Sequence, residues 1–197
     1  MTSQFMPRLA LVAALAAGAS QAATAATIGF DALPGNTGDS FSSIVEDGFT
    51  VTTTSGDWKQ AHAYGAPLPS VFVEDLRSTP FGALQVTNGG LFTFDSLDLA
   101  AYWSGVGYEV RGWLGGAEVF DFASSQAAGG FNTVHSTSSQ AIDRLTIDLS
   151  GGGPGSFNVD NIRVDAAVSP VPEPGTYGLM LLGLGLLGAF MRRRQRG

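Results

Sequence analysis

The stretch YEVRGWLGGAEVFDF, residues 108–122, decides the fold class. Two runs rich in aromatic and β-branched residues, 108–114 and 117–122, flank Gly115 and Gly116. A two-residue hairpin loop of the type I′ class needs positive φ at both central positions, and glycine supplies it without a steric penalty. The stretch therefore predicts an antiparallel hairpin.

Similar short runs occur on both sides of it, separated by Gly, Ser, Asp and Asn. Strands are predicted at 27–31, 49–54, 71–74, 83–87, 91–99, 131–134, 142–149 and 157–165, in addition to the two of the hairpin. In one of them Ile142, Leu145, Ile147 and Leu149 nearly alternate with Asp143, Thr146 and Asp148, the pattern of a half-buried strand. No apolar periodicity of 3.6 residues runs longer than two helical turns. About ten short strands at this spacing predict an all-β fold, an antiparallel β-sandwich of jelly-roll type. The Gly-rich run 151–155 is a loop before the last strand, and Glu46-Asp47-Gly48 reads as a turn.

One pattern occurs twice. Phe92, Phe94, Leu97 and Leu99 alternate with a one-residue slip at Asp95-Ser96, and Phe157, Val159, Ile162 and Val164 slip likewise at Asp160-Asn161. An uncorrected slip would turn every later side chain to the wrong face. A β-bulge at each place restores the phase. On one reading the bulges only bend the strands, with Asp and Asn bonding local backbone. On the other, Asp95 or Asp160, with Asn161, joins Asp31 in a site for a hard cation such as Ca²⁺, whose preferred ligands are carboxylate and amide oxygens.

The chain has no cysteine, so no disulfide assists the fold. Residues 27–169 carry 16 Asp plus Glu against 5 Lys plus Arg, a net charge of −11. That balance argues against nucleic acid or anionic lipid as partner. It suits Ca²⁺, a neutral glycan, or solubility alone. His62 and His135 are the only histidines, and no zinc-ligand spacing, nucleophile elbow or phosphate-binding loop is present. Glu46-Asp47 and Glu74-Asp75 are adjacent pairs. Neighbours on a strand point to opposite faces, so neither pair is a glycosidase dyad by itself. No catalytic residue is assigned, and the expectation is a non-enzymatic protein. The aromatic residues offer a binding surface instead. Trp58 and Tyr64 lie in a polar stretch that reads as a long loop, where they would stack on sugar rings or cap the end of the sandwich. Tyr102, Trp103, Tyr108 and Trp113 are further candidates, with Trp113 expected in core or flanking-strand packing.

Both termini carry segments of another kind. Arg8, an apolar stretch from Leu9 to Ala17 and small residues up to Ala26 form a secretory signal peptide, residues 1–26. Cleavage fits after Ala22, Ala25 or Ala26, with Ala25 or Ala26 preferred. Signal peptidase and the general secretory machinery are the implied partners. At the other end Val171-Pro172-Glu173-Pro174-Gly175-Thr176 precedes an apolar run, 177–191, and then Arg192, Arg193, Arg194 and Arg196. The prolines stiffen and extend the motif. A helix over 177–191 would be about 25 Å long, near the lower limit for a bilayer core. The arginines favour a cytoplasmic C-terminus.

This motif, helix and arginine cluster, in this order, resembles the PEP-CTERM sorting signal of exported bacterial proteins, here residues 170–197. The resemblance implies recognition by exosortase, transient anchoring in the inner membrane, and loss of the helix on processing. It says nothing of the activity of residues 27–169. The expected protein is an exported surface or extracellular-matrix component with a structural or adhesive role in exopolysaccharide or biofilm. The alternative is a lectin-like carbohydrate-binding module with a structural Ca²⁺; a polysaccharide hydrolase comes third.

Overall fold

The computed structural model describes residues 24–166, 178–179 and 181–184. Residues 1–23 of the expected signal peptide, the motif Val171 to Thr176, most of the apolar run and the arginines Arg192, Arg193, Arg194 and Arg196 lie outside the described residues. Residues 178–179 and 181–184 are helical. No helix among the described residues is long and apolar enough to cross a membrane.

Residues 24–166 form twelve strands: β1 (Thr24–Ile28), β2 (Ser43–Glu46), β3 (Phe49–Ser55), β4 (Trp58–Ala61), β5 (Ser70–Asp75), β6 (Phe81–Thr87), β7 (Phe92–Tyr102), β8 (Val106–Leu114), β9 (Ala117–Gln126), β10 (Gly129–His135), β11 (Arg144–Gly151) and β12 (Gly155–Ala166). They build two antiparallel sheets. One has the order β10-β7-β12-β5-β4, with β1 also paired to β12; the other has the order β2-β3-β6-β11-β8-β9. The all-β antiparallel architecture is the one that the alternation predicts. The chain changes sheet at every connection except the hairpins β2–β3, β4–β5 and β8–β9. Gly115 and Gly116 turn the β8–β9 hairpin with φ of 59° and 85°, the expected type I′ signs.

The core lies between the sheets. Val51, Leu84, Val110, Leu145, Ile147 and Leu149 of the second sheet face Val71, Phe94, Leu97, Leu99, Phe157 and Val159 of the first. Each is essentially without solvent contact, and burial of such a side chain stabilises by about 1.5–3 kcal/mol. With no cysteine in the chain, this packing is what holds the domain together.

Two strands were not legible in the sequence. β2 lies at the edge of its sheet and is only four residues long. β4 lies in the stretch expected to be a loop, and it corrects the reading of Trp58. The indole is 1% exposed, belongs to the core, and donates from Nε1 to Ser55 O at 2.9 Å. Trp58 therefore forms no platform for a sugar. Its polar neighbour Lys59 disguises the strand because it points to the other face, where it pairs with Asp57 at 3.0 Å. Trp113 packs on the flanking strand, with the Arg144 guanidinium 4.7 Å above its ring.

The two slips in the alternation are both bulges, and they meet. β7 and β12 are neighbours, and their register breaks between Asp160 and Arg163 and again between Arg163 and Val164, opposite Ser96 and Phe94. The Asp160-Asn161 bulge also marks a change of neighbour. Residues 155–159 of β12 pair with β5, and residues 162–166 pair with β1. Asn161 takes a φ of 44° at this handover.

Candidate functional site

The outer face of the β4-β5-β12-β7 sheet carries a groove. Phe72, Ser156, Asn158 and Tyr102 alternate with the core residues Val71, Val73, Phe157, Val159 and Ala101, and so point away from the core. Together with Thr37, Ala61 and Tyr64 they line a groove of about 290 Å³ whose surface is mostly apolar. Tyr64 forms one wall. Its ring stacks on Phe131 at 5.1 Å and 28°, and it remains 37% exposed. Of the expected pair Trp58 and Tyr64, the structure brings only Tyr64 to an accessible site. Phe72, Ser156 and Asn158 were missed. The signal for Phe72 was its place between Val71 and Val73, which forces it to the opposite face.

The groove floor is pre-set by hydrogen bonds. Asn158 Nδ2 donates to Ser70 Oγ at 3.1 Å, and Ser70 Oγ donates to Tyr64 O at 2.7 Å. Thr37 is held beside β4 by the His62 N–H, which donates to its Oγ1 at 2.9 Å.

The loop that presents Tyr64 is tied to the β12 bulge from both sides. Ala66 N donates to Asp160 Oδ2 at 2.7 Å, and Asn161 Nδ2 donates to Ala66 O. A bulge leaves a strand residue without a ladder partner. Here β12 is passing from β5 to β1, and the side chains of the bulge bond the Tyr64 loop instead. Asp160 is fully buried. Burial pushes its carboxyl up to about 6; the N–H groups of Ala66 and Asn161 work against that rise, and the charges of Asp98 and Asp31 add to it. Burial also acts to raise Asp98, but hydrogen bonds from Arg163, Thr133 and Asn161 outweigh it and hold Asp98 below its usual range. Arg163 grips Asp98 with two bonds, of 3.1 and 2.9 Å.

The four proposed cation ligands divide. Asp31 Oδ2 and Asn161 Oδ1 both lie beside Gly29, 3.6 and 3.7 Å from where a methyl group there would stand, but among the described residues no three His, Cys, Asp or Glu side chains are grouped so as to hold a metal ion. The Gly29 N–H donates to Glu46 Oε1 at 2.9 Å, and Glu46 Oε2 is buried with no partner. Asp160 lies near enough to Asp31 to feel its charge. Asp95 departs from this group. It is exposed, accepts from Ser96 Oγ at 3.0 Å, and lines a separate polar pocket with Ser136, Ser138 and Asp165. The bulge at Asp95-Ser96 turns the carboxylate to that side. The adjacent acid pairs are also occupied locally: Asp75 caps the N–H groups of Arg77 and Ser78 at 2.8 and 3.0 Å, and Asp47 sits in the β2–β3 turn.

The sheet and the groove account for residues 24–166; the tail is identified by its own sequence. Residues 170–195 match the PEP-CTERM protein-sorting motif. The match covers the Pro-Glu-Pro strip, the apolar run and most of the arginine cluster. No curated protein is significantly similar in sequence. Among solved structures, a family 29 carbohydrate-binding module from Piromyces equi shares 15% identity at a TM-score of 0.42, over 75% of this chain and 93% of that one. The family 32 module of C. perfringens NanJ, solved in complex with galactose, shares 16% at 0.40, over 60% and 97%. An arabinose-bound α-L-arabinofuranosidase shares 11% at 0.41, over 58% of this chain and 22% of that one. Likeness at this level does not extend to a ligand.

Proposed function

We propose that this protein is exported, anchored through its PEP-CTERM tail and released by exosortase-type processing, and that its β-domain then adheres to neutral polysaccharide of the cell surface or matrix. The observation that carries the binding role is the groove: Tyr64, Phe72 and Tyr102 offer aromatic surface around the polar floor of Asn158 and Ser156. A sugar ring has an apolar face and a hydroxyl rim, and this lining is complementary to both. The net charge of −11 over residues 27–169 favours neutral over acidic chains. Nothing in the groove pairs an acid with a base, so the reading is of binding rather than hydrolysis.

Affinity electrophoresis tests it, with hydroxyethyl cellulose, galactomannan, xylan and dextran in the gel and alginate as the acidic comparison. At least one neutral polymer should retard the domain and alginate should not. Tyr102→Ala should weaken retention about tenfold, equivalent to about 1.4 kcal/mol, without a change in melting temperature. Migration unaffected by every polymer would overturn the reading.

A second reading concerns Asp31 and Asn161, whose side-chain oxygens both lie beside Gly29. With backbone oxygens or water completing the shell, these two would hold a hard cation such as Ca²⁺; Asp160, whose two oxygens accept from Ala66 and Asn161, would act through its charge, and Asp95 is excluded. The ion would tie the end of β1 to the β12 bulge and, through Ala66, steady the Tyr64 loop. Binding only the folded state, it would add about 2.7 kcal/mol at one hundred times Kd. Melting temperature should rise in Ca²⁺, less in Mg²⁺, and not in NaCl of matched ionic strength. Equal shifts in all three salts would reduce the effect to charge screening.

A further inference from the structure

The tip joining β7 to β8 holds a residue that the groove does not explain. Trp103 is 65% exposed and adopts a φ of 73°. Left-handed backbone is unfavourable for a bulky side chain and free for glycine. A glycine at this place would turn the chain as well and avoid the strain. The tip is fixed, not frayed: Ser104 Oγ donates to Gly153 O at 3.2 Å, and the Gly152 N–H donates to Gly105 O at 3.4 Å. The indole is thus held out in solvent by an ordered turn. Its one aromatic neighbour among the described residues is Tyr102, whose ring meets it edge-on at 4.8 Å and 64°. Tyr102 also lines the groove.

We infer that Trp103 is a second stacking station, continuing the groove past Tyr102, so that the domain grips an internal stretch of a neutral polysaccharide chain and not a single terminal sugar. The inference rests on the reading of the groove as a glycan site. The row that crosses the sheet at this level runs from Tyr102 through Ser156 to Glu74. Glu74 is exposed and has no cationic partner among the described residues. A carboxylate at the level of the proposed station disfavours uronic acids there and tolerates uncharged hydroxyls. Aromatic surfaces set in series, with ring faces free, hold successive units of one chain.

The test compares the wild type with Trp103→Ala, Trp103→Gly and Trp103→Phe on the same neutral polymers and on their monosaccharide and longer oligosaccharide fragments. Trp103→Ala and Trp103→Gly should weaken polymer binding tenfold or more and leave monosaccharide affinity unchanged, while Trp103→Phe restores most of the loss. Trp103→Gly should also raise the melting temperature, because it relieves the backbone. Long oligosaccharides should shield wild-type fluorescence from acrylamide and leave that of Trp103→Phe unchanged, since Trp58 is buried and the half-buried Trp113 lies on the other sheet. Polymer affinity unchanged in Trp103→Gly, with Tyr102→Ala still defective, would overturn the second station and leave the groove intact. No binding by the wild type to any polymer would overturn both.

Discussion

Asp160 carries its carboxyl where no water reaches it. Its pKa is raised from 3.8 to about 6, so the folded chain binds this proton more tightly than the unfolded chain does. Protonation therefore stabilises the fold. As pH falls from about 6 to about 4 the domain gains stability from this group. Above 6 it carries a constant penalty of at most about 3 kcal/mol, since each tenfold change in proton affinity is worth about 1.36 kcal/mol. Asp98 acts oppositely: its lowered pKa contributes stability that is present above about pH 4 and lost as pH falls through its folded value. The melting temperature at low ionic strength should thus rise as pH is lowered from 7 to about 4.5, then fall in stronger acid. Asp160→Asn should flatten the upper slope, although one of the N–H groups of Ala66 and Asn161 then loses its acceptor. A wild-type profile that is flat from pH 4.5 to 7 would mean the charge is neutralised by other means, such as a bound cation. The surroundings of Asp160 were only half legible in the sequence. That Asp31 comes near it was, because the first and last strands meet there. The Ala66 N–H that meets its carboxylate was not, because it comes from a loop 94 residues away. Asp95 misled, because two identical slips gave no hint of which face each carboxylate would take.

At the scale of elements, alternation made the long central strands readable and left the short edges dark. β7 and β12 declared even their bulges, because a slip within a buried pattern has a single physical remedy. β4 hid behind Lys59 and Gln60. Gln60 is buried, but its Oε1 accepts from the Gly35 N–H at 3.0 Å, a contact invisible in a local window. β1 bears on processing. Thr24, Ala25 and Ala26 pair with Ala166, Asp165 and Val164, and Ala26 packs on the core. A cut after Ala25 or Ala26, the sites preferred from the sequence pattern, would remove much of this strand and expose part of β12 as an open edge. Cleavage after Ala22 leaves β1 whole. N-terminal sequencing of the exported protein should therefore begin at Ala23. A start at Ala26 or Thr27 would show that β12 tolerates the loss, and the truncated domain should then unfold at lower denaturant concentration than one starting at Ala23.

The whole molecule joins a β-domain to a tail of a different kind. The β-domain, within residues 22–168, closes its core without a disulfide. The tail places Pro172, Glu173 and Pro174 directly before an apolar run and four arginines. Residues 170–195 match the sorting motif, and that match implies processing of the exported chain at its C-terminal end. In a host that makes exosortase, intact-mass measurement of the surface or released protein should therefore find a chain that has lost residues 177–197. Replacing Pro172, Glu173 and Pro174 with alanine should hold the full-length protein in the inner-membrane fraction, with the β-domain still folded and still able to bind polymer. In a host without the enzyme the unaltered protein should behave like that variant. Full-length chains at the cell surface of the native-type host would show that the tail anchors without being processed, and would leave the binding role of the groove to stand or fall by its own test.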